Sequence, residues 1–312
     1  MAARTKHYLL LHFIVLIWGF TAVLGLLITI PSVEIVFFRT LIAFITLAGV
    51  VWYRKVRFKL PANATLSILG TGVLIALHWI LFFGAARVST ASVTLAGMAT
   101  CSLWTSLVEP FMTHRKVQVY EVLLGLVVIV GLYVIFRFEF THALGLGMAI
   151  FSAFLAAVFT VNNARYSKSY DPYLVTFYEM LGACVSIAIF FPMYQKWISS
   201  DGVLYLNPSI MDWFWLMVLA LACTVYAYSM SVELMKYVTA FAMNLTNNLE
   251  PVYGIILAIL VFGEKEQMTP GFYMGTAIIL VSVFAYPLIR RYRKVRRFQR
   301  INSFRKFKEA SQ

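Results

Sequence analysis

Apolar runs of membrane-crossing length recur along almost the whole 312-residue chain, and nothing else in the sequence narrows the fold as much. A bilayer-spanning helix needs roughly 20 consecutive apolar residues. Ten such runs are read at 8–28, 33–53, 63–85, 90–112, 119–136, 143–164, 173–193, 211–233, 238–262 and 270–289. Inside hydrocarbon each backbone N–H and C=O must bond within its own segment, so the runs predict helices rather than open sheet. Charged residues are 12% of the chain, about half the share of an average soluble domain (~25%). The fold class expected is an all-α polytopic membrane protein. The first run is too long for a secretory leader, so it is read as a true span.

Lys and Arg set the expected orientation. Arg4, Lys6, Arg54, Lys55, Arg57, Lys59, Arg115, Lys116, Arg165, Lys168, Lys236 and the basic tail after Leu288 all fall on one side. Only Arg87, Arg137, Lys196 and Lys265 fall on the other, with Arg39 inside a span. That bias places both termini in the cytoplasm and fits an even number of spans. The +13 net charge lies at membrane edges rather than in one groove-facing patch, so no nucleic-acid partner is expected. The tail, 290–312, reads as a solvated anchor, and its 290–308 part as a candidate contact for anionic lipid. Cys101, Cys184 and Cys223 lie within apolar runs and suggest neither a disulfide framework nor a metal site.

The two halves resemble each other. Phe37-Phe38-Arg39 matches Phe177-Tyr178-Glu179 at an offset of 140, and Phe20-Thr21 matches Phe159-Thr160 at 139. Arg87-Val88-Ser89-Thr90-Ala91 matches Lys236-Tyr237-Val238-Thr239-Ala240 at 149, and Gly125 matches Gly275 at 150. Five spans is an odd number, so the second copy must enter the membrane from the opposite face. The organisation expected is a five-span repeat over 1–142, an inverted five-span repeat over 143–289, and the tail. Inverted repeats place a substrate site near the midplane between the halves. In the 149 register Glu250 pairs with Cys101, and Glu109 falls at a hydrated span end as a structural residue.

The segment from Thr239 to Glu264 carries Asn244, Thr246, Asn247, Asn248, Glu250 and Pro251 within an apolar run. Polar groups at that depth need a protein partner or a wet cavity, which makes the cluster a candidate site. Interhelical bonding by the amides is the competing reading. Pro251 lacks an N–H and is expected to weaken the helix near Asn247. Arg39 is suited to a substrate carboxylate, or else snorkels to the interface. Glu179 reads as a proton site or as the partner of a donor on a neighbouring span. His78 is a candidate ligand or a single interhelical hydrogen bond. Trp18, Trp79 and Trp104 lie inside their spans, where they could wall a cavity. Asn162 and Asn163 are expected to cap the sixth span. Thr94, Gly97, Thr100 and Cys101 form a small-residue stretch that can face the ninth span.

The sequence resembles the drug/metabolite transporter superfamily, and within it the EamA-like family. The resemblance rests on Ile17-Trp18-Gly19, Phe38-Arg39, the Gly84-to-Ala91 link, Leu249-Glu250-Pro251-Val252-Tyr253-Gly254 through Phe262-Gly263-Glu264, and the Gly271-to-Ile279 segment. After Pro110 the first half runs into His114-Arg115-Lys116 without a Gly-Glu pair, so transfer of roles onto the fourth span is weakened. The resemblance implies ten spans, a bacterial inner-membrane location and a secondary transporter, with a cavity lined by spans 1, 3, 4, 6, 8 and 9. The expected activity is export of small polar or zwitterionic metabolites such as amino acids by alternating access. Trp18, His78, Trp79, Thr100, Tyr226, Asn244, Asn247 and Glu250 are the candidate binding residues. Glu250, Glu179 and Arg39 are candidates for proton or charge coupling. No cofactor, metal or catalytic residue is expected. A proton-independent facilitator or exchanger is the alternative within transport. A lipid-modifying membrane enzyme is the remote alternative.

Overall fold

The computed structural model describes residues 5–293 apart from 115, 139, 200, 267, 283, 286, 287, 290 and 291. Apart from Tyr292 and Arg293, the basic tail lies outside the described residues. Every regular element among the described residues is helical. In order they are α1 (Thr5–Gly19), α2 (Thr21–Leu27), α3 (Ser32–Tyr53), α4 (Ala62–Val88), α5 (Ala91–Met98), α6 (Cys101–Thr113), α7 (Val119–Phe138) and α8 (Ala143–Tyr166). Then follow α9 (Pro172–Trp197), α10 (Ile210–Val218), a π-helical stretch (Leu219–Tyr226), α11 (Ala227–Leu234), α12 (Ala240–Asn247), α13 (Glu250–Phe262) and α14 (Pro270–Ser282).

Joined across their breaks, these helices give eight segments long and apolar enough to cross a membrane. They coincide with eight of the ten apolar runs. The fifth and tenth runs form the shorter apolar helices α7 and α14.

Local chemistry starts the helices where the runs begin. Asp171 caps α9 by accepting from the backbone N–H of Tyr173 at 3.0 Å and Leu174 at 3.3 Å, with Pro172 in the first turn. Ser209 and Asp212 form a reciprocal capping box at α10.

Hydrophobic burial gives helices little reason to associate once they are in lipid, so close packing decides how they assemble. The tightest crossing joins α4 to α9. A Cβ added at Gly72 would overlap the Glu179 carbonyl oxygen, and one at Gly182 would overlap that of Leu69. Only glycine lets these backbones meet so closely. α4 also packs along α8, and α3 along α9, to form the middle of the bundle.

The internal repeat appears as matching hinges. One spanning segment breaks at Ala99–Thr100 and another at Asn248–Leu249, at the 149-residue offset read from the sequence. The caps match as well. Thr90 Oγ1 accepts from Val93 N at 3.1 Å, and Thr239 Oγ1 accepts from Ala242 N at 3.1 Å. The Asn248–Leu249 break lies immediately before Pro251, as the missing N–H requires.

Candidate functional site

A cavity of ≈ 90 Å³ lies inside the bundle, enough for a handful of waters at roughly 15 Å³ each. It gathers six of the eight expected binding residues: Trp18, His78, Trp79, Asn244, Asn247 and Glu250. Thr100 and Tyr226 are not among the lining residues. Thr100 sits at the α5–α6 hinge with its hydroxyl donating to the Gly97 carbonyl at 2.8 Å. Tyr226 is 42% exposed and meets the edge of Phe13.

Each wall is fixed by chemistry. Arg39 is buried and does not snorkel; its guanidinium lies 3.7 Å from the centre of the Trp79 ring. Its Nε donates to Thr224 Oγ1 at 2.7 Å, and that hydroxyl donates to the Leu219 carbonyl at 3.1 Å. The π-helical stretch widens the backbone here and leaves carbonyls for side chains. Trp18 Nε1 uses one of them, donating to the Cys223 carbonyl at 3.0 Å.

His78 is held by Ser152. The Ser152 hydroxyl donates to the His78 carbonyl at 2.8 Å, so His78 Nδ1 carries the hydrogen it gives to Ser152 Oγ at 2.7 Å. That assigns Nε2 as the ring's remaining acceptor.

The amide cluster divides its work between structure and cavity. Asn244 donates to Thr105 Oγ1 at 2.8 Å and accepts from Thr160 Oγ1 at 3.3 Å. Asn248 donates to Ser102 Oγ at 2.8 Å. These bonds tie the two broken segments together as glue. Asn247 is different. It lines the cavity, and its buried Oδ1 has no partner among the described residues. Glu250 opens α13, where a helix N-terminus favours negative charge. Its register mate Cys101 opens α6 and lines the same cavity. Arg39 and Glu250 form no salt bridge with each other or with any other described residue.

Three further side chains stand elsewhere than expected. Asn162 and Asn163 do not cap α8. Asn162 donates to Thr71 Oγ1 on α4 at 3.2 Å and Asn163 to Tyr228 Oη on α11 at 2.7 Å, so both amides serve interhelical bonds. Glu109 is 8% exposed rather than freely hydrated, and lines a second cavity of ≈ 210 Å³ with Arg165, Lys168 and Lys236. Met235 lines both cavities, so the two are neighbours.

Hydrogen bonds tie helix ends and loops together at the α10 end of the bundle. Asp212 in α10 accepts from the Thr29 backbone N–H at 2.6 Å and the Thr29 hydroxyl at 2.8 Å. Glu34 accepts from Tyr205 N at 3.3 Å. Arg87 donates to the carbonyls of Gly25 and Ile28, at 3.3 and 2.8 Å, and to that of Ile30.

Sequence reasoning missed Tyr228, Thr160 and Ser231, which also line the central cavity. Tyr228 and Ser231 carried the same signal as the Asn cluster, polar groups inside an apolar run. Thr160 carried another, as the repeat mate of Thr21, which lines the cavity too.

A helical bundle of membrane-crossing segments folded around a polar, charged cavity is the architecture of a membrane transporter. The model of the EamA-like transporter family matches residues 5–137 and again residues 143–286, and the chain belongs to that family. A solved structure described only as "Crystal structure of protein" shares the fold, with a TM-score of 0.68 at 15% identity over 92% of this chain and 99% of its own. No curated protein matches the sequence.

Proposed function

We propose that this protein is a secondary carrier for small zwitterionic metabolites, amino acids first among them. Arg39 and Glu250 carry this reading. Opposite charges that line one cavity and attract each other across it without closing a direct salt bridge suit a ligand bearing both a carboxylate and an ammonium group. Arg39 receives the carboxylate with its planar fork, and Glu250 receives the ammonium. Asn247 Oδ1 and His78 Nε2 offer further acceptors, and the faces of Trp18 and Trp79 wall the site.

Alternating access supplies the mechanism. α7 and α14 complete five spans in each half, giving two inverted repeats over 1–142 and 143–289. The paired hinges let the halves rock about a fixed site. By the distribution of basic residues, the second cavity, near Lys168 and Lys236, faces the cytoplasm and both termini lie there. A cytoplasm-facing cavity with a far end tied by hydrogen bonds is the loading state of an exporter in a bacterial inner membrane.

A thermal-shift screen of the purified protein in detergent tests the assignment. Free ligand at 100 times its Kd stabilises the folded state by about 2.7 kcal/mol. Zwitterions should raise the melting temperature more than the matching amines or carboxylates. Glu250→Gln should abolish the ammonium preference and Arg39→Gln the carboxylate preference. Equal stabilisation of wild type and both variants by every hit would refute the site.

A further inference from the structure

Behind the cavity wall lies a second polar set. Glu179 in α9 is fully buried, and neither carboxyl oxygen meets a donor within hydrogen-bond geometry. The carboxyl group faces the Tyr228 hydroxyl from α11 and the Asn163 amide from α8. Those two are bonded to each other, Asn163 Nδ2 donating to Tyr228 Oη at 2.7 Å. Asn163 Oδ1 is also buried, and no donor reaches it.

Counting hydrogens decides what is missing. With Glu179 ionised, three buried acceptor oxygens (two on Glu179, one on Asn163) share two remaining donors, the Tyr228 O–H and the second N–H of Asn163, and the latter cannot reach the Oδ1 of its own amide. Unsatisfied buried acceptors are costly, and a buried carboxylate without a counter-charge more so. From α3 the charge nearest the set is Arg39, which acts on Tyr228 and is engaged with Trp79 and Thr224. From α4 the approach is backbone, at Gly72. From α8 it is the neutral Asn163 amide, and from α11 it is Tyr228. No cation on these helices compensates the carboxylate.

One proton completes the network. A carboxylic acid at Glu179 donates its O–H to Asn163 Oδ1 and accepts the Tyr228 O–H on its other oxygen. We propose that Glu179 is a proton-binding site of the carrier, held by Asn163 and linked to cargo through Tyr228. Tyr228 is the link because it lines the cavity and meets Trp79 edge-on at 6.2 Å between ring centres. Cargo that moves Tyr228 withdraws a donor that favours the ionised carboxylate, so Glu179 holds its proton while cargo is bound. When Tyr228 returns, the proton leaves to water in the cavity by way of its hydroxyl. The linkage rests on the carrier reading above; the proton site itself does not.

Infrared titration of the protein reconstituted in liposomes tests both parts. Wild type should show the carbonyl stretch of a buried carboxylic acid at neutral pH. Glu250→Gln should keep that band and Glu179→Gln should lose it. Asn163→Leu removes the amide that meets the acid group, so the pH midpoint of the band should move by about one unit, equivalent to about 1.4 kcal/mol, and an unmoved midpoint would overturn the proton site. That arm decides the matter if Glu179→Gln fails to fold. Tyr228→Phe should shift the midpoint, and an unmoved midpoint would overturn the link to the cavity. A band untouched by Glu179→Gln, or one that appears only when choline replaces sodium, would overturn the proton site, the latter in favour of a sodium ion. A protein that keeps the band yet binds no zwitterion would fail the functional proposal and leave the proton site standing.

Discussion

Gly72→Ala tests the crossing that places Glu179. The added methyl would overlap the Glu179 carbonyl oxygen, and would stand 2.9 Å from the Ala183 nitrogen and 3.0 Å from the Glu179 carbonyl carbon. Ordinary contact begins near 3.4 Å, so α4 and α9 must part by at least ~0.5 Å at the amide and further at the carbonyl. Backbone cannot rotate aside as a side chain does, and overpacking of this kind costs about 1–3 kcal/mol. Gly70 supplies the control on the same helix. A methyl there meets nothing within 4 Å, so Gly70→Ala should gain roughly 0.5–1 kcal/mol from the helix preference of alanine. Melting followed by intrinsic fluorescence in detergent should therefore move in opposite directions for the two variants, by several degrees. Gly182→Ala meets Leu69 at the same crossing, so combined with Gly72→Ala it should cost less than the sum of the two. Matching upward shifts for Gly70→Ala and Gly72→Ala would show that the helices do not approach as described, and the placement of Glu179 beside Tyr228 would fall with them.

Other outcomes follow from the same geometry. Asp212→Asn replaces an oxygen that only accepts with an amide facing donors on Thr29 and Ser209, so the α10 end should loosen; in detergent a thiol-reactive probe should label Ile30→Cys several-fold faster in that background. Arg39→Lys keeps the charge but loses the planar fork and the stacking on Trp79, so carboxylate-bearing ligands should bind about 10-fold more weakly in a titration while simple amines are unaffected. Ser152→Ala leaves His78 Nδ1 and its carbonyl with fewer partners, and should lower stability by about 1–2 kcal/mol in the melting assay.

How much could be read beforehand depended on range. The apolar runs give the spanning segments to within a few residues because lipid enforces one period and one length. The hinge near Asn247 was legible because the missing N–H of Pro251 is a local signal, whereas the matching break at Ala99–Thr100 has no proline beside it and was not. The cluster around Glu250 stood out because a carboxylate among apolar residues has few structural uses. What escaped was long-range. Asn162 and Asn163 look like caps until α4 and α11 bring Thr71 and Tyr228 beside them. Arg39 has two plausible destinations along its own helix, and only the placement of Trp79 and Thr224 chooses between them. The π-helical stretch has no residue pattern that announces it; it follows from tertiary packing.

The matched hinges bear on direction. Two breaks of the same make, each opened by a capping threonine, leave neither half mechanically privileged. In the proposed carrier, inward and outward shapes would then differ little in intrinsic free energy, and about 1.4 kcal/mol of bias would change their ratio tenfold. What the hinges hold is not matched, for Glu250 opens one and Cys101 the other. For the proposed carrier, the arrow of net movement would therefore come from the concentrations on the two sides and from the occupancy of the one hinge that bears a carboxylate, rather than from energy stored in the fold.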